Sequence, residues 1–229
     1  MSNITYEYIR RNKDIQTYIN YADAALSTIG YTEHSNAHVE RAAASAFMIL
    51  TELGYEQRTC ELAEIAAYMH DIGNVINRVD HAQSGAIMAF RLLDNLGMPA
   101  NEISLIISAI GNHDENTAAP VTPIAAALII ADKSDVRRSR VRSADGPFVP
   151  SSENLARDIH DRVNYSVQES VTQIDTEHAE VLLRLQIDTR YCSVMDYFEI
   201  FLQRMMMCRR AAEVLGLKFK LVANGSRVS

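Results

Sequence analysis

Glu61-Leu-Ala-Glu-Ile-Ala-Ala-Tyr-Met-His-Asp-Ile-Gly73 is the stretch on which the reading of this chain turns. Apolar residues recur through it at helical spacing, and it closes on His70–Asp71. An imidazole beside a carboxylate is the ligand pair favoured by borderline and hard divalent metals. Adjacent side chains in mid-helix diverge by ~100°. In a last turn both can reach one ion, and Gly73 is expected as a left-handed stop just beyond them.

Outward from that stretch the first two-thirds of the chain read as helices, expected over residues 5–29, 33–53, 60–70, 81–96, 102–110 and 124–135. Gly30, Gly54, Gly97 and Gly111 punctuate them, Asn101 is a candidate cap, and Pro123 suits the first turn of the last one. The composition then changes. Residues 133–142 are basic, and Ser143-Ala-Asp-Gly-Pro-Phe-Val-Pro150 reads as a loop or linker. β-Branched residues and alternation over residues 163–188 predict two strands with a turn near 175–178. A helix over 193–215 and a strand over 217–222 follow. The expected architecture is mainly α, a helical bundle followed by a small α+β C-terminal unit over residues 150–229, with residues 1–30 as an N-terminal helix.

Bulk properties narrow the function. A chain of 229 residues with 48% hydrophobic content supports a sizeable core. A net charge of −7 disfavours nucleic acid as the partner, because neutralising phosphates needs surplus Lys and Arg. No apolar run reaches the ~18 residues that span a bilayer, and the N-terminal residues lack a signal-peptide core. Cys60, Cys192 and Cys208 are odd in number and widely spaced, which reads as reduced thiols and a cytoplasmic setting. The Met205-Met-Met-Cys208 run reads as core or as dimer packing, so a homo-oligomer is among the expected states.

Five of the seven histidines fall between positions 34 and 113. Singly, each has an ordinary explanation: His34 and His38 as hydrogen-bonded surface residues, His81 as a helix start, His113–Asp114 as turn chemistry. Asp132 closes Ile124-Ala-Ala-Ala-Leu-Ile-Ile-Ala-Asp132, where an ionised carboxylate is costly to bury unless a cation or hydrogen-bond donors compensate, though an amphipathic helix ending in a surface aspartate reads the same. Lys133, Arg137 and Arg140 share one face if the helix continues, either to receive substrate phosphates or as a solvated charged face.

Read jointly, Glu33-His-Ser-Asn-Ala-His-Val-Glu-Arg41, Ala66-Ala-Tyr-Met-His-Asp-Ile-Gly73 and Leu128-Ile-Ile-Ala-Asp-Lys-Ser-Asp135 resemble the ordered motifs of the HD superfamily of metal-dependent phosphohydrolases, over residues 31–142. The resemblance implies His38, His70, Asp71 and Asp132 as ligands of a first ion. It prefers His38 to its competitor His34 because Val-Glu-Arg follows. It implies His81 and His113 as ligands of a second ion, with Asp71 as the bridge and a catalytic residue. Two divalent ions are the implied cofactors, with Fe, Mn, Zn, Co and Ni all compatible with imidazole and carboxylate. The implied reaction is hydrolysis of a small-molecule, nucleotide-like phosphate ester by metal-activated water, with His34 or Asp114 handling protons and Lys133 and Arg137 binding substrate. A di-iron oxygenase and a non-catalytic metal- or nucleotide-binding sensor are the alternatives. Asn112-His-Asp-Glu-Asn116 lacks the His-His-Glu element of cyclic-dinucleotide phosphodiesterases, and Ile72-Gly-Asn-Val-Ile-Asn77 lacks the acidic signature of guanosine-tetraphosphate hydrolases. His81-Ala-Gln-Ser-Gly-Ala86 is similar to segments of dinucleoside-polyphosphate hydrolases but too short to transfer a substrate.

Overall fold

The structure, a computed structural model, describes residues 4–115, 118–142 and 159–228. The expected loop over residues 143–150 lies outside them. The chain is mainly α with a small C-terminal sheet, as its sequence predicts.

The expected first helix is two, α1 (Tyr6–Arg11) and α2 (Lys13–Thr28). Asn12 between them is extended, and its side chain accepts hydrogen bonds from the amides of Asp14 and Ile15, so it caps α2 rather than continuing α1. Helix α3 (Asn36–Glu52) starts later than expected because the Ser35 hydroxyl caps it at the amide of Ala37. His34 therefore precedes the helix that carries His38, and the two are not one turn apart on a common face.

Helix α4 (Gln57–Met69) contributes an almost continuously buried run, Leu62, Ala63, Ile65, Ala66, Ala67, Tyr68 and Met69, which makes it a central strut. Burying each large apolar side chain there contributes on the order of 2 kcal/mol. A 3-10 turn (Ile72–Val75) follows. Gly73 sits inside it and, among the glycines, is not one with positive φ. The residue is needed for close approach: the turn packs directly on the first turn of α5 (His81–Asn95). Helix α6 (Ala100–Gly111) begins at Pro99 rather than at an Asn101 cap. In α7 (Pro123–Ser134), Thr122 caps the amide of Ala125, Pro123 occupies the first turn, and residues 124–131 are all buried. This helix stops at Ser134, and Arg138–Arg140 forms a separate 3-10 turn.

Helix α8 (Ile159–Ser166) leads into β1 (Val167–Asp175), which pairs antiparallel with β2 (Glu180–Ile187). Helix α9 (Val194–Val214) then crosses to β3 (Lys218–Ala223), parallel to β2, and a tight turn adds β4 (Ser226–Arg227) in the order β1-β2-β3-β4. One core joins α1–α7 to Ile174 and Val181 of the sheet and to Met207, Cys208, Ala211 and Ala212 of α9. The N-terminal helices and the α+β elements thus share their interior with the central bundle. The methionine run is largely core: Met205, Met207 and Cys208 are buried and Met206 faces out. A second cluster, including Val163, Leu183, Tyr197, Phe201 and Leu221, fills the space beneath the sheet. Among the described residues no helix is long and apolar enough to cross a membrane.

Candidate metal centre

Four helices and one loop converge on a buried cluster. α3 supplies His38, the end of α4 supplies His70 and Asp71, α5 opens on His81, the residue pair after α6 includes His113, and α7 supplies Asp132. All four imidazoles are almost fully buried. Asp71 stands in the middle with its two oxygens facing opposite ways. Oδ2 lies 3.2 Å from His70 Nε2 and 3.8 Å from His38 Nε2. Oδ1 lies 3.5 Å from His81 Nε2 and 3.9 Å from His113 Nε2. Asp132 Oδ1 closes the first side, 3.3 Å from His38 Nε2 and 3.6 Å from His70 Nε2. On the second side the Nε2 atoms of His81 and His113 are 3.2 Å apart.

What fixes these rings is on their far edges. The Nδ1 atoms of His70, His81 and His113 face the backbone oxygens of Ala67, Arg78 and Ile110 at 2.7, 3.0 and 2.6 Å. Such contacts require a proton on Nδ1, so each Nε2 is the ring atom turned inward, and it offers a lone pair once it carries no proton. His38 differs: its Nδ1 faces the carboxylate of Asp135 at 2.8 Å. Asn74 Nδ2 donates to Asp71 Oδ1 at 2.9 Å and to the Asp71 carbonyl, which fixes the central carboxylate.

The electrostatics are those of a centre built for cations. Burial opposes charge on Asp71 and Asp132, but neighbouring histidines and Lys133 outweigh it and hold both carboxyls well below their ordinary range. Burial also pushes His70 down, yet the two aspartates beside it win and lift its pKa to about 10. At His113 burial, with the nearby His70 and Lys133, outweighs the pull of Asp132 and lowers its pKa to about 3. Two buried ring nitrogens, His38 Nε2 and His70 Nε2, have no hydrogen-bond partner. Leaving them so is costly. Three inward groups, His38–His70–Asp71, His70–His113–Asp132 and Asp71–His81–His113, each bring their donor atoms within 4.8 Å of one another. Converging ring nitrogens, two of them unpartnered, beside ionised carboxylates fit divalent metal ions.

The structure brings the six expected ligands together. His34 stands at the edge of the cluster, its Nδ1 2.7 Å from Thr32 O and its pKa lowered by burial. Lys133 is buried with Nζ 2.8 Å from Asp132 Oδ2 and lines the cavity. Arg137 does not reach it. Because α7 ends at Ser134, Lys133, Arg137 and Arg140 do not form one helical face; Arg137 instead bonds Glu33 Oε2 at 2.7 Å and Asp135 Oδ1 at 3.1 Å. The cations at the cavity besides Lys133 are Arg78, Arg140 and Arg204. Asp135 was legible as the second aspartate of Asp132-Lys-Ser-Asp135. Nothing local in the sequence marks Arg204, which sits on α9 far along the chain.

The chain is similar to known proteins. The HD domain family matches residues 37–137. The uncharacterized protein MJ1020 of Methanocaldococcus jannaschii is 24% identical over 159 residues, covering 60% of this chain and 61% of that protein, so the match spans less than two thirds of the relative's length. A crystal structure of a predicted HD superfamily hydrolase from an uncultured Thermotogales bacterium aligns with a TM-score of 0.43 at 24% identity, over 55% of this chain and 68% of that one.

Proposed function

We propose that this chain, whose residues 37–137 match the HD domain family, is a divalent-metal-dependent phosphohydrolase with a two-ion centre, acting on a small phosphate ester. The two-faced Asp71 carboxylate carries this reading. Histidines on one flank would suffice for one ion; histidines at both Oδ1 and Oδ2 fit a pair sharing that carboxylate. His38, His70 and Asp132 would hold one ion with Asp71, and His81 and His113 the other. Ions bound there would supply Lewis acidity, acidifying water and offsetting negative charge on phosphoryl oxygens.

The chain's own residues do the rest. Asp135 and the carbonyls of Ala67, Arg78 and Ile110 hold each histidine in the tautomer that offers Nε2. His34, neutral because burial lowers its pKa, offers Nε2 as a proton acceptor at the cavity edge while its Nδ1–H stays on Thr32. Lys133 offsets the charge of Asp132, and Arg78 and Arg204 offset that of a phosphoryl group. An adjoining groove of about 420 Å³ has the size of a small-molecule site and room for a nucleoside-sized alcohol.

The test is hydrolysis of a phosphoester panel by Mn²⁺-loaded protein. Activity is expected to vanish in Asp71→Ala, and His113→Ala should bind one ion per chain where the wild type binds two. A fully loaded wild type that cleaves no ester, or that holds one ion when metal is in excess, defeats the proposal.

A further inference from the structure

The cavity before the six ligands is a narrow well. It has about 20 Å³ of free space, room for little more than one water-sized group, and the cations Arg78, Lys133, Arg140 and Arg204 share its wall with Asp71, His81, His113 and Asp132. The well and the wider groove share His34, Arg78 and Arg204 as lining residues, so these three stand where one passes into the other. Beyond them the described groove wall is mixed, with the carboxylates of Asp80, Asp114, Glu115 and Asp161 beside Tyr31 and Val79, so the cations that can meet an anion are at the junction itself.

Shape and charge both bear on what enters. A phosphate monoester presents three unsubstituted oxygens and one alcohol arm, so one oxygen can enter the well, the others face the junction, and the arm lies in the groove. A diester has two arms and must bring both through the junction into the groove. Of the four cations, Lys133 is committed to Asp132, and Arg140 donates through Nε to the Glu33 carbonyl and through Nη1 to the Asp135 carbonyl. Arg78 donates through Nη1 to Asn74 Oδ1 and faces His81 Nε2, both at 3.3 Å, and Arg204 pairs through Nε with Glu115, but both line the junction of well and groove, where a dianionic head gains more from two guanidinium groups than a monoanionic diester does.

Arg204 is held for that task. Its Nε donates to Glu115 Oε1 at 2.6 Å, and its guanidinium lies 4.4 Å from the centre of the Phe201 ring. Glu115 sits two residues after His113, so the loop bearing one ligand also orients this arginine. A guanidinium fixed before binding loses little freedom when an anion arrives.

We propose that the site selects the terminal phosphate of a monoester, and that Arg204, contributed by α9 from outside the HD domain, sets the preference over diesters. Turnover of such esters rests on the phosphohydrolase reading; the anion selectivity does not.

Calorimetry on the full, metal-loaded chain tests the selectivity with inorganic phosphate and dimethyl phosphate as probes. Phosphate is expected to bind at least about 10-fold more tightly. Arg204→Ala, or Arg204→Gln if the first variant folds poorly, should lose about 10- to 100-fold in phosphate affinity, as for a lost charge-assisted contact, with dimethyl phosphate little changed and metal content intact. Equal binding of the two anions, or an unchanged ratio in both variants, overturns the proposal. Paired assays with p-nitrophenyl phosphate and bis(p-nitrophenyl) phosphate separate the two readings. Preferential diester cleavage overturns this inference and leaves the hydrolase reading standing. Selective phosphate binding without cleavage of either ester supports the anion site and counts against the hydrolase.

Discussion

Gly73→Ala should disable one half of the metal centre before it unfolds the protein. A Cβ at position 73 would overlap the carbonyl oxygen of His81 and stand 2.5 Å from the amide nitrogen of Gly85 and 2.7 Å from Ser84 Oγ. Two of those three atoms are backbone of α5, so no side-chain rotation relieves the overlap. Carbon and nitrogen are comfortable at roughly 3.5 Å, which requires α5 to back away from the turn by about 1 Å. Overpacking of that kind costs typically ~1–3 kcal/mol. His81 opens α5 and lies 3.5 Å from Asp71 Oδ1, so the retreat carries it away from the Asp71 carboxylate. His38, His70 and Asp132 stand on other helices and keep their places. Gly85→Ala is an internal control, because its Cβ would stand 3.2 Å from Gly73 N and 3.3 Å from His70 O, contacts relieved by shifts of a few tenths of an ångström. Chemical denaturation of the metal-free proteins and metal analysis of the loaded ones supply the assay. The expected order of damage is Gly73→Ala well above Gly85→Ala, with the first variant binding one ion instead of two. A Gly73→Ala protein of wild-type stability and metal content would refute the close-packing argument.

Two further outcomes are expected. Asp135→Asn preserves volume but removes the negative charge facing His38 Nδ1, and should weaken metal binding by about 10- to 100-fold in chelator competition while the fold survives; unchanged affinity would show that this carboxylate does not tune the ligand. The joint contribution of His70 and His113 to the stability of the metal-free chain should also peak near pH 6.5, the ordinary histidine value. Above it, folded His70 keeps a proton up to about pH 10 that the unfolded chain has released, so stability falls as pH rises through that window. Below it, the unfolded chain gains a proton at His113 that the folded chain refuses down to about pH 3, so stability falls as pH drops. A bound metal displaces the His70 proton, so metal affinity should rise with pH over the alkaline window. Denaturation midpoints that climb between pH 7 and 9 without metal would contradict this assignment.

The correction at Gly73 shows where local reading stops. A glycine after a helix is usually a left-handed stop, and Gly30, Gly54 and Gly97 are such residues with φ of 85°, 76° and 80°. Gly73 looks the same in sequence, but its role depends on α5 lying against it, a contact no local pattern encodes. Asn12 and Ser35 were the opposite case. Their capping chemistry is local and was present in the sequence, yet continuous helical periodicity masked it and merged α1 with α2 and His34 with α3.

The sequence by itself determined the kind of site this is. Imidazole and carboxylate donors arrive in a fixed order near the ends of apolar helices, and such helices have to pack together, which brings their ends into one region. Tertiary structure alone decided how the donors divide. It turned the two oxygens of Asp71 toward different histidine pairs, placed Asp135 behind His38, drew Arg137 away to Glu33, and brought Arg204 from α9 to the mouth of the well. These are through-space relations set by helix crossing and side-chain direction. Spacing along the chain constrains neighbours within a turn or two of helix and is silent about residues that meet only when the core closes.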